Sequence, residues 1–203
     1  MTKNNISIAF CGIDGSGKST HLNKTTDFFA NKNLDILNAR LSYFPLNDYG
    51  DSKIKDYLLN LRSLYEIINY YTKINFQSRK KDLTLYDRHI LCYLAYAYAH
   101  GINPVVLLKH CFSLYPFIKE PDLTIYFNID VNIALERIEN RTKEKNKDKS
   151  ESYETLSKAK EGYERLIPHY KNVEIINVTR YTNRNEQEIF DQVRNIISYK
   201  LSR

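Results

Sequence analysis

The stretch Gly12-Ile13-Asp14-Gly15-Ser16-Gly17-Lys18-Ser19 constrains this chain more than any other feature. It fits G-x-x-x-x-G-K-[ST], with an apolar β-rich run before it (Ile6 to Cys11) and a helical stretch after it (Lys18 to Ala30). That context makes the pattern a phosphate-binding loop rather than a chance glycine turn. Glycines let the backbone turn tightly and aim several N–H groups at one anion. The helix that follows adds the positive end of its dipole. Lys18 supplies a point charge near the β- and γ-phosphates of a nucleoside triphosphate, and Ser19 supplies a hydroxyl ligand for Mg²⁺. Gly12, Gly15, Ser16 and Gly17 are expected to cradle the phosphates. Thr20 either contacts the α-phosphate or is simply a first-turn helix residue. Asp14 is unusual in such a loop, since phosphates repel a carboxylate. It is expected to meet a hydroxyl or organise metal-bound water, the alternative being a turn-forming Asp.

The rest of the chain alternates short apolar strands with helices. Strands are expected at 35–41, 83–86, 123–129 and 173–178. Helices are expected at 53–80 with a break near Asn60 to Ser63, at 89–100 closed by Gly101, from Asn103-Pro104, from the Asp130 cap to Arg141, at 153–166 and at 185–201. Such alternation builds βαβ units around a parallel sheet covered on both faces. Ligands of these sheets sit beyond the carboxyl ends of the strands. One domain spanning 1–203 is expected, because no repeat, linker or composition shift divides the chain.

Asp87-Arg88 closes the strand beginning at Leu83 and so falls on the ligand side of the sheet. There the acid can hold Mg²⁺ through water, and the arginine can clamp an acceptor's phosphate. A GTPase would carry Asn-Lys-x-Asp to read guanine, and Asn31-Lys32-Asn33-Leu34 lacks the acid. A motor ATPase would end such a strand in Asp-Glu. The residues therefore favour phosphoryl transfer to a small acceptor. The basic stretch from Arg141 to Lys149 reads as a lid over 141–153, with Arg141 stabilising charge on the transferred group and its lysines solvated.

Composition agrees without choosing. The net charge of +6 suits an anionic ligand, and 42% hydrophobic residues suit a globular core. Three dispersed cysteines read as reduced thiols, and scattered histidines form no zinc pattern. No nucleic-acid-binding motif is present, no run is long enough to cross a bilayer, and no signal-peptide pattern precedes the first strand, so a cytoplasmic location is expected. Tyr93, Tyr96 and Tyr98 read as core or dimer-interface residues.

The sequence resembles the thymidylate kinases. The resemblance is carried by Ile13 to Thr20, by Phe44-Pro45 and Tyr57-Leu58, and by Asp87-Arg88-His89. It continues through Glu120-Pro121-Asp122-Leu123-Thr124, Ala134-Leu135-Glu136-Arg137-Ile138 with Arg141, Tyr153-Glu154, and Gly162-Tyr163 to Leu166. It implies a P-loop NTPase fold with five parallel strands flanked by helices, a lid over ATP, and often a homodimer. It implies that Asp14 meets the acceptor's sugar hydroxyl or the metal water, that Ser19 and Asp87 serve Mg²⁺, and that Arg88 holds the acceptor phosphate. Adenine would lie between Arg137 and Arg141 on one side and Thr179-Arg180 on the other. The acceptor would sit beside Phe44, Pro45, Tyr71 and Arg88; His89 either touches it or begins a helix. The acceptor favoured by the resemblance is dTMP. Another nucleotide, nucleoside or small metabolite is the alternative, because Leu46-Asn47 stands where the family carries an arginine after Phe-Pro, and a lysine, Lys80, ends Phe76-Gln77-Ser78-Arg79-Lys80. A non-catalytic nucleotide-binding regulator is a third reading.

Overall fold

The computed structural model describes residues 5–41, 53–101, 118–141, 152–178 and 183–202. The expected helix after Asn103-Pro104, the lid loop 142–151, Phe44, Pro45, Thr179, Arg180 and Cys111 lie outside the described residues.

Five strands form one parallel sheet: β1 (Ile6–Cys11), β2 (Ile36–Arg40), β3 (Leu83–Asp87), β4 (Leu123–Ile129) and β5 (Val173–Val178). Their order is β2-β3-β1-β4-β5. The chain builds outward to β2, returns to insert β3 beside β1, then crosses to β4 and β5. The direction of winding reverses at β1, and ligands bind at such reversals in doubly wound sheets. β1 and β3 pair from Ile6↔Leu83 to Phe10↔Asp87, and β2 and β3 from Ile36↔Leu83 to Arg40↔Asp87. These registers bring Cys11, Asp87 and Arg40 to the same edge.

β3 is buried along its whole length, as a central parallel strand must be. Its polar Thr84 hydroxyl takes a 3.0 Å hydrogen bond from Asn5 Nδ2. The strand extends one residue past the expected Tyr86, because Asp87 remains in register with both neighbours.

Six helices complete the described elements: α1 (Lys18–Ala30), α2 (Lys53–Ser78), α3 (Ile90–Ala99), α4 (Val131–Arg141), α5 (Tyr153–Leu166) and α6 (Asn183–Leu201). α2 runs unbroken through Asn60 to Ser63, contrary to the expected break. No Gly or Pro occurs in it, and residues of middling helix propensity do not interrupt a helix whose buried face continues through Ile67, Tyr71 and Ile74. α4 starts as expected, with the Asn132 amide donating to Asp130 Oδ1 at 2.8 Å. At the end of α5, Pro168 lies within a 3-10 turn over Ile167–His169. No described helix is long and apolar enough to cross a membrane.

α3 is apolar on every side and buried from Ile90 to Ala97. It lies under α5, and Gly162 permits the approach: a methyl group there would stand 2.8 Å from the Ala95 carbonyl oxygen. Cys11 and Cys92 are buried free thiols.

Candidate active site

The loop between β1 and α1 has the backbone its glycines make available. Gly12, Gly15 and Gly17 all have positive φ, at 145°, 81° and 90°. Gly12 also lies under the Phe127 carbonyl and Gly15 against the Ala134 backbone, where a side chain has no room. The Ser16 amide donates to Ile13 O at 3.2 Å, which closes the loop. Helix α1 begins at Lys18, so its first-turn amides open toward the loop and complete an anion site.

Three helices hold the loop from outside. The Tyr163 hydroxyl on α5 donates to Gly12 O at 3.2 Å, and Arg137 Nη1 on α4 donates to Gly15 O at 3.1 Å. The Asp14 amide donates to the Tyr96 hydroxyl on α3 at 2.9 Å. Tyr163 and Tyr96 therefore belong to the site's framework, a part that sequence reasoning did not assign to them.

The charged groups form a chain. Lys18, only 5% exposed, donates from Nζ to Ile13 O at 2.8 Å and lies 3.6 Å from Asp14 Oδ1. The same oxygen receives Arg88 Nη2 at 2.5 Å. Arg88 leaves the sheet with φ 73°, a left-handed turn unusual for a side chain with a Cβ, while its amide still donates to Phe10 O at 3.2 Å. Burial pushes the Asp14 carboxyl up, but Lys18, Arg88, a hydrogen bond with Tyr96 and the charge of Arg141 together hold it below its ordinary value. Burial likewise draws the Lys18 ammonium down, partly countered by Asp14. Two carboxylates and several cations thus share one rim.

Asp87 is the second acid. Its Oδ2 accepts the Ser19 hydroxyl at 3.4 Å and lies 3.6 Å from Arg40 Nε. Its Oδ1 is buried with no hydrogen-bond partner. A hydroxyl and a carboxylate converge here, one carboxylate oxygen unsatisfied. That donor set fits a hard cation such as Mg²⁺, which takes one or two protein oxygens and completes its shell with phosphates and water.

The structure thus brings Gly12, Asp14, Gly15, Ser16, Gly17, Lys18, Ser19, Asp87, Arg88 and Arg137 together at the carboxyl ends of β1 and β3. Thr20 is exposed in the first turn of α1. Arg141, the last residue of α4, is near enough for its charge to help lower Asp14. Tyr71 stands differently from expectation, and His89 takes the second of its two expected places. Tyr71 is 1% exposed, and its hydroxyl accepts the Ile90 amide at 2.9 Å, so it secures the start of α3 rather than facing a ligand. His89 begins that helix as its N-cap, its ring 5.0 Å from both Tyr71 and Tyr86. Burial pushes its pKa down to about 3, so the ring is neutral. Among the described residues, Arg40 at this rim was not singled out in the sequence.

The thymidylate kinase family model matches residues 49–189. The chain belongs to the thymidylate kinase family. Similarity to individual thymidylate kinases extends beyond the matched span. A probable thymidylate kinase of Methanococcus maripaludis strain C7 is 28% identical over 211 residues, covering 96% of each chain. A thymidylate kinase of Leptospira interrogans is 30% identical over 177 residues, 82% of this chain and 83% of that one. In structure, the crystallised thymidylate kinase of Ehrlichia chaffeensis matches with a TM-score of 0.66 at 18% identity, covering 96% of this chain and 99% of that one. Its P-loop NTPase fold is this chain's fold. As a thymidylate kinase family member the chain is a phosphotransferase, and the rim described above lies at the strand ends where sheets of this kind bind ligands.

Proposed function

We propose that this enzyme transfers the γ-phosphoryl group of ATP to dTMP, giving dTDP and ADP. The observation that carries the reading is the charge chain Lys18–Asp14–Arg88 inside a phosphate-binding loop, beside the Ser19–Asp87 pair. The loop amides and Lys18 hold the triphosphate, with Lys18 set against its β- and γ-oxygens. Ser19 and Asp87 would hold Mg²⁺, which neutralises charge on those oxygens. Arg88, poised on Asp14, has the fork geometry to take the acceptor's phosphate, and Asp14 is left to accept the acceptor's hydroxyl or order water. An oxygen of the acceptor phosphate forms the new bond to γ-phosphorus as the bond to the β-phosphate oxygen breaks, and the electron pair leaves with ADP. No covalent bond to the protein is required. Catalysis is therefore positioning plus charge stabilisation, with Arg137 and Arg141 on the donor side.

The test is turnover of a nucleoside monophosphate panel with ATP and Mg²⁺, followed by release of ADP and by chromatography of the products. dTMP is expected to be the preferred acceptor, and Lys18→Ala to lower turnover by about 10²-fold or more. Turnover of another monophosphate with dTMP inert would overturn the assignment.

A further inference from the structure

We propose that Tyr70 is a positioning residue of the phosphotransferase: in the nucleotide-loaded enzyme its hydroxyl is the donor for Asp87 Oδ1, and it fixes from the α2 side the acid that would hold Mg²⁺. Both described contacts of Asp87, the Ser19 hydroxyl and Arg40 Nε, fall on Oδ2. Oδ1 is buried and has no hydrogen-bond partner among the described residues. The Tyr70 hydroxyl is buried and unpartnered in the same way. Folded proteins leave few buried polar atoms unsatisfied, because each forfeits its bonds to water without replacing them. Here one of the orphans is a donor and the other an acceptor.

Helix α2 brings the two together. Tyr70 follows Ile67 by three residues and precedes Ile74 by four, so it shares the helix face that Ile67, Tyr71 and Ile74 bury. Its ring meets that of Tyr71 edge to face, with centroids 5.2 Å apart. The Tyr71 ring lies 6.4 Å from Tyr86 and 5.0 Å from His89, and its hydroxyl accepts the Ile90 amide. α2 is therefore pinned to residues on both sides of Asp87. Burial, then Tyr86 and the negative charge of Asp87, hold the Tyr70 phenol above its ordinary pKa, so the group keeps its proton and remains a donor. A neutral donor suits this place. It orders the carboxylate without adding a positive charge that would repel a cation. Carboxylates that serve metals are commonly held by such a second contact, which sets the plane in which their oxygens meet the ion.

The inference rests on the proposed reading only for Asp87 as a holder of Mg²⁺, and an Asp87→Asn variant separates the two. Wild type, Tyr70→Phe, Asp87→Asn and the double variant are compared in Mn²⁺ affinity of the complex with a non-hydrolysable ATP analogue, read by EPR without acceptor and with the analogue alone as reference. Tyr70→Phe should weaken Mn²⁺ binding about 10-fold, as for a group behind a metal-serving carboxylate. In turnover it should raise KM for Mg²⁺, with KM for the acceptor and for ATP at saturating Mg²⁺ within about twofold. The melting temperature of the metal-free variant should not fall, since the ring stays on Tyr71 and the hydroxyl lost there had no partner. The double variant should bind Mn²⁺ no worse than Asp87→Asn, because the phenol acts through that carboxylate. Unchanged Mn²⁺ affinity in Tyr70→Phe would overturn the proposal. So would a lower melting temperature without metal, which would make the hydroxyl a structural contact, or a rise confined to KM for the acceptor, which would assign it to that ligand. If Asp87→Asn itself leaves Mn²⁺ affinity unmoved, the metal site of the proposed reading falls and the role of Tyr70 with it; if only Tyr70→Phe is silent, that reading stands. Inert dTMP would remove the acceptor assignment and leave this measurement as it is.

Discussion

Arg88 shows how one residue combines backbone strain with chemistry. Its φ of 73° puts a Cβ-bearing residue where glycine is at ease, at a cost of about 1–2 kcal/mol. The conformation redirects the chain from the end of β3 and turns the guanidinium back onto Asp14 in the loop, 74 residues earlier in the sequence. Strain and pairing can be separated by substitution. Arg88→Gly and Arg88→Ala both remove the guanidinium, but only glycine relieves the turn. Denaturant midpoints should therefore show Arg88→Gly more stable than Arg88→Ala by about 1 kcal/mol, while both lose acceptor use to a similar degree. Equal stability of the two would mean the backbone relaxes without cost.

At the scale of elements, the close pair α3 and α5 connects core packing to the loop. Gly162 lets the helices touch through the backbone at Ala95, and the next residue, Tyr163, is fully buried and reaches Gly12 O. α3 itself carries Tyr96, whose hydroxyl accepts the Asp14 amide. Gly162→Ala would drive a methyl group toward the Ala95 carbonyl oxygen and force the helices apart. The expected loss is about 1–3 kcal/mol of stability in urea unfolding, with a rise in KM for ATP as Tyr163 is displaced from the loop. A variant as stable as the wild type would show that this interface has slack. The sequence exposed the elements themselves, because the apolar runs and caps at Ile6, Asp130 and Tyr153 are local signals. It could not expose their mutual contacts. Tyr96 read as an ordinary core residue, since nothing within a helix's own stretch tells which tyrosine meets a loop 82 residues away. Arg40 went unnoticed for the same reason: its meaning depends on the register of β2 against β3.

For the whole molecule, buried histidines make stability depend on pH. His21 is stacked on Phe127 with ring centroids 5.4 Å apart, and burial pushes its pKa from 6.5 down to about 4. His89, also driven down by burial, falls to about 3. Both rings stay neutral in the folded chain but protonate near 6.5 once unfolded, so acid favours the unfolded state. The loss of stability starts as pH falls below about 6.5 and continues until each folded ring titrates, near 4 for His21 and near 3 for His89. Between about pH 7 and about pH 5 each ring should remove about 1–2 kcal/mol. His21→Phe keeps the stack and should shrink that loss, read as the difference between urea midpoints at the two pH values. The same loss in the variant would show that His21 is not a source of it.

Sequence alone determined what depends on neighbours along the chain: strands and helices in alternation, a glycine-rich loop at a strand-to-helix turn, and an acid-arginine pair closing a strand. Those signals sufficed for a parallel sheet with a phosphate site at its carboxyl edge, because steric freedom and hydrophobic periodicity act over a few residues. Only the tertiary structure decided the strand order, the burial of Tyr71 and His89 beneath the site, and the sharing of Asp14 between Lys18 and Arg88. The reason is physical: burial and electrostatic pairing follow from distance in space, and the sheet sets that distance by bringing β2 and β3 together across tens of residues.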